Sequence, residues 1–173
     1  MRLIGITLFA SALALAPLDI GLAQSLTDPQ IAHIAYTAGE IDIANAELAL
    51  KTSKTKSVRG FAEEMLRDHK AVNEKALALV KKLKVTPEDN ATSQALVKQA
   101  DDKRKELGAL KGADFDKAYA QNEVAYHQTV NSALEKTLIP GANNAELKAL
   151  LETGLKLFQG HEQHAEHLVS ELK

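Results

Sequence analysis

Six histidines and 23 acidic residues are the side chains of this sequence best able to do chemistry, and it has no cysteine. Without Cys there is no thiolate ligand, cysteine nucleophile or disulfide. Imidazole together with carboxylate is the donor set that suits iron, zinc, manganese or copper. The informative residues interrupt apolar stripes of 3.6-residue period. His69 falls between Met65 and Val72, and His161 between Phe158 and Ala165, each near the centre of its stripe. Glu123 and His127 have i, i+4 spacing and share a helix face, on the flank of the Tyr119–Tyr126–Val130 stripe. Asp116 lies on the same column as Glu123, Asp42 flanks the Ala38–Asn45–Ala49 line, and Asp68 adjoins His69 at the edge of its stripe. Asp42, Asp68, His69, Asp116, Glu123, His127 and His161 are therefore the candidate metal ligands. His33 and His167 point away from their stripes and His164 sits at an edge; the His161-Glu162-Gln163-His164 pair with His167 reads as a surface metal-capable edge or, the favoured reading, a solvated helix end.

Long helices must carry these residues. The spacing predicts a first helix from Thr27 or Asp28 to about Ser53 and a second from about Ser57 to Leu83. Val85–Asn90 is the clearest break. A weaker surface helix is expected from about Thr92 to Leu107, a fourth from about Asp114 to Leu138 and a fifth from about Asn144 to Leu172. Ile139-Pro140-Gly141 should stop the fourth. No run alternates apolar and polar residues long enough to make a strand. The expected fold is all-α: a four-helix bundle with one long connection holding a short extra helix.

Helical rise then sets the expected register. A turn near residues 54–55 brings Asp42 within one turn of Asp68 and His69. A turn near residue 141 brings Glu123 within one turn of His161, but leaves His127 roughly 9 Å from His161 along the axis. On that register His127 and His161 do not share a small ion. The competing reading makes the same residues hydrogen-bonded pairs, Asp42 with His69 and Tyr126 or Glu123 with His161, that fix helix register with no metal.

Residues 1–23 are read as a secretory leader: Arg2, an apolar run Leu3–Ala16, and small residues at Gly21 and Ala23 before a cut at Gln24. Residues 24–173 are then the bundle domain, periplasmic or secreted, with no transmembrane segment after cleavage. The net charge of −2 supplies no basic field for nucleic acid. No His-Glu-x-x-His, Gly-x-Ser-x-Gly or phosphate-loop motif is present, which argues against an enzyme.

The run Val58-Arg59-Gly60-Phe61-Ala62-Glu63-Glu64-Met65-Leu66-Arg67-Asp68-His69, with Asn73, resembles the signature of a bacterial exported family, domain of unknown function 4142. Phe115-Asp116-Lys117-Ala118-Tyr119 with His127 resembles its second block, and His161 its last. The resemblance covers about Leu26 to Leu172. It implies a ferritin-like bundle without an established activity, and it singles out Asp42, Asp68, His69, Asp116, His127 and His161. None of the histidines has Glu three residues before it, so the Glu-x-x-His pattern of di-iron bundles is missing. The expected function is binding of a transition metal such as iron, zinc or copper for storage, buffering or stress protection. The alternative is a metal-free structural or partner-binding envelope protein.

Overall fold

Thr27 opens the first helix as the sequence expects. Its side chain accepts from the backbone N–H of Gln30, whose own side chain accepts in return from the Thr27 N–H. The computed structural model describes residues 25–172, so the expected leader at 1–23 lies outside the described residues. Helix α1 spans Asp28–Thr52, α2 Lys56–Leu83, α3 Ala91–Gly108 and α4 Gly112–Ala133. A π-helical turn follows at Leu134–Leu138, then a short helical segment α5, Ile139–Gly141, and finally α6, Ala145–Glu171. Every described element is helical, and the all-α bundle stands.

α1 and α2 form one hairpin, and α4 and α6 the other. The crossover helix α3 lies along α1. His33 meets Ser93 near the start of both, and Arg104 reaches Asn45 further along, so α1 and α3 run parallel. At that far end Thr55 donates to Asp116, which fixes the start of α4 beside the α1–α2 turn. At the opposite end the Asp28 carboxylate accepts from the backbone N–H groups of Asn143 and Asn144, both at 2.8 Å, and anchors the start of α6. α1 and α6 therefore run one way, and α2 and α4 the other.

The apolar core is in two parts. At the Thr55 end, Phe61, Met65, Phe115, Tyr119, Ala165 and Leu168 pack together. At the Asp28 end, Ile31, Ile34, Leu134, Leu138, Leu151 and Phe158 do so. Between them lies a layer of buried polar side chains contributed by all four long helices.

Ile139-Pro140-Gly141 ends the fourth helix, but at Gly141 and not at Leu138. The chain passes through the π turn and stays helical to Gly141. The wider turn relieves the clash a proline ring makes with the carbonyl one turn earlier, so Pro140 is accommodated.

Candidate metal centre

Five fully buried side chains meet in the polar layer: Asp42 from α1, His69 from α2, Glu123 and His127 from α4, and His161 from α6. Donor atoms of His69, His127 and His161 lie within 4.8 Å of one another, as do those of Asp42, Glu123 and His127. Asp42 Oδ2 stands 3.2 Å from His69 Nε2 and 3.4 Å from His127 Nε2. None of these three atoms has a hydrogen-bond partner; nor do Asp42 Oδ1, His69 Nδ1, Glu123 Oε2 or His161 Nδ1. Each buried polar atom left so costs about 1–3 kcal/mol. The spacing has a ready explanation. Ligands held about 2.0–2.1 Å from a tetrahedral ion sit about 3.3–3.4 Å apart.

Outer partners fix which ring nitrogens are free. His127 Nδ1 is 3.0 Å from the backbone carbonyl of Glu123. A carbonyl only accepts, so Nδ1 holds the proton and Nε2 turns a lone pair toward Asp42. His161 Nε2 donates to Asp68 Oδ2 at 3.2 Å, which leaves Nδ1 as the bare nitrogen. The His69 ring stacks on Phe158, centroids 4.6 Å apart and planes 10° from parallel, and this contact sets its orientation. Glu123 Oε1 accepts from Asn45 and Asn122, and Arg104 on α3 reaches the far side of Asn45.

Burial also sets the protonation of the cluster. Desolvation lowers His69 to about 3, with His161 adding to the effect. Desolvation likewise lowers His127, against the opposing pull of Asp42. Burial raises the Asp42 carboxyl despite His127 and His161, and it raises Glu123 well above the ordinary range, helped by Asp42. Burial thus disfavours the charged form of His69, His127, Asp42 and Glu123 alike. A cation there would reverse the preference of both carboxyls.

One side of the cluster borders a cavity of about 80 Å³ with almost wholly apolar walls. Asp42, His69 and His127 are among the few polar residues that line it, beside Val72, Leu151 and Phe158. The space is large enough for water on that face of the cluster.

Not every expected ligand joins the cluster. Asp116 lies at the Thr55 end, where it accepts from the Thr55 hydroxyl and contributes to none of the metal-capable groups. Asp68 stands outside the cluster, behind His161, in a separate group with Glu64. Tyr126 does not pair with His161; its hydroxyl donates to the carbonyl of Ala38 at 2.8 Å. The expected separation of His127 and His161 is also wrong: their ring centroids are 5.5 Å apart. The connection is centred beyond residue 141, because α6 starts only at Ala145. That moves the position opposite His127 along α6 toward His161. Sequence reasoning missed Glu64, although its i, i+4 spacing from Asp68 marks a shared face, and read the His164 end as solvated; Glu64 and His164 meet at 2.6 Å.

Residues 17–168 match the family described as Domain of unknown function (DUF4142). The chain belongs to this family. Among curated proteins and among solved structures, nothing matches. In this DUF4142 domain the matched span includes both hairpins and every residue of the buried cluster.

Proposed function

We propose that this DUF4142 domain is an exported metal-binding bundle that holds one transition-metal ion in its buried polar layer. Asp42, His69, His127 and His161 are the primary ligands, and Glu123 is a further carboxylate at the same centre. The observation that carries the reading is that Asp42 Oδ2 stands 3.2 Å from His69 Nε2 and 3.4 Å from His127 Nε2 with none of the three engaged in a hydrogen bond, while His127 joins two buried donor groups, one with His69 and His161 and one with Asp42 and Glu123. Mixed nitrogen and oxygen donors suit zinc, iron, manganese or copper, and the absence of Cys disfavours a soft thiolate-seeking ion. One ion per chain, enclosed by apolar layers, fits buffering or stress protection better than bulk storage. Residues 1–23 supply the proposed export signal.

Metal analysis of protein purified without a histidine tag tests the reading. The expected result is about one equivalent of a transition metal, lost in both His69→Ala and His161→Ala. A wild-type protein that binds no transition metal after dialysis against each candidate, and whose His variants lose only melting temperature, would support the metal-free structural alternative.

A further inference from the structure

An ion bound in the buried layer needs a way in, because Asp42, His69, Glu123, His127 and His161 are each at most 3% exposed. The α2–α6 seam supplies graded access. His164 has a side chain 41% exposed and Glu64 32%, followed by Asp68 at 16% and His161 at 2%. Donor atoms of Glu64, Asp68 and His161 lie within 4.8 Å of one another. His164 Nδ1 sits 2.6 Å from Glu64 Oε2, and its ring is steadied edge-on against Phe61. His161 belongs to both groups: Nε2 faces Asp68, while Nδ1 is buried and unpartnered on the same ring. We propose that Glu64, Asp68, His161 and His164 form a second, half-exposed divalent-cation site that loads the buried cluster: the entering ion displaces the Nε2 proton of His161 onto Asp68, and the proton returns to Nε2 as Nδ1 takes the ion inward. This rests on the metal-binding reading of the cluster.

Arg67 is the counterweight. Its guanidinium donates to both oxygens of Asp68, at 2.7 and 3.1 Å, yet its side chain is 69% exposed and free to swing away. While bound it occupies the carboxylate that the entering cation needs. Removing carboxylate and imidazole from the seam should therefore slow loading, and removing Arg67 should speed it. A residue set that merely orients His161 would change affinity instead.

The experiment uses the full mature chain and Co²⁺, whose visible absorption reports the buried centre. Loading is followed by stopped flow, release by transfer to excess chelator, and affinity by equilibrium titration. Glu64→Gln combined with His164→Asn, both at half-exposed positions, is expected to slow loading and release about tenfold and leave the dissociation constant within twofold. Arg67→Ala is expected to load faster than wild type. Unchanged rates in both variants overturn the port while leaving the buried centre standing. A rate loss matched by an equal loss of affinity overturns it as well, in favour of an orienting role. A wild-type chain that takes up no Co²⁺ overturns both the port and the metal-binding reading.

Discussion

His69 shows how much a single position carries. Its ring is confined between Phe158 and Asp42, and burial holds it neutral down to about pH 3. In the unfolded chain the same imidazole protonates near pH 6.5. Between those values the unfolded chain binds a proton the folded chain refuses, so folding stability falls as pH drops below 6.5. For chelated, metal-free protein the difference between wild type and His69→Gln should shift by about 2–3 kcal/mol from pH 6.5 to 4.5, wild type losing the more. Urea melts at the two pH values measure this, and parallel curves would contradict it. Comparison with a variant is necessary because Asp42 and Glu123, raised by burial, oppose the trend. Much of this centre was legible in the sequence, since His69 and His161 interrupt otherwise apolar stripes. Asp42 read as a flank residue, yet it is fully buried because α2 and α4 close over it, with His69 and His127 against its carboxylate. That cover is a tertiary fact which the periodicity of α1 alone does not encode.

At the scale of elements, helix starts were legible to within a residue or two, and at α1, α3 and α6 capping side chains mark them. Thr27, Asn90 and Asn144 each accept from backbone N–H groups at a helix N-terminus. The π turn was not legible: Leu134–Leu138 has ordinary helical composition, and nothing local marks the added residue. The offset expected between His127 and His161 failed for another reason, the later start of α6 at Ala145, which moves the turn centre along the chain. α1 and α2 approach closely at Gly39, where an added Cβ would run into the Asn73 carboxamide. That carboxamide is held by the Tyr36 carbonyl and the Glu40 carboxylate, at 3.3 and 2.7 Å, and cannot easily give way. Gly39→Ala gains about 1 kcal/mol in helix propensity but costs about 1–3 kcal/mol in overpacking. The expected result is a melting temperature lower by about 2–4 °C, read by calorimetry. An increase would mean that α1 and α2 have room to separate.

At the scale of the whole molecule, a polar stratum divides the core into two apolar halves. Such a layer stabilises less than apolar packing would, unless something satisfies its donors. A bound ion at about 100 times its dissociation constant adds about 2.7 kcal/mol. Chelation should therefore lower the melting temperature by about 5–10 °C. The same logic predicts that replacing Asp42, His69, Glu123 and His127 together by Leu yields a folded protein, insensitive to chelator, at least as heat-stable as the metal-free wild type. Differential scanning fluorimetry with and without chelator checks both outcomes. The bundle architecture and its hairpins were legible because long amphipathic segments leave few alternatives. The meeting of the buried groups was not, because it depends on how one hairpin slides against the other. The cluster is also divided along the chain: Asp42 and His69 lie before the crossover, and Glu123, His127 and His161 after it. A half-made or unfolded polypeptide never presents the assembled donors. On the proposed metal-binding reading, selection among competing ions is thereby postponed until the halves have docked.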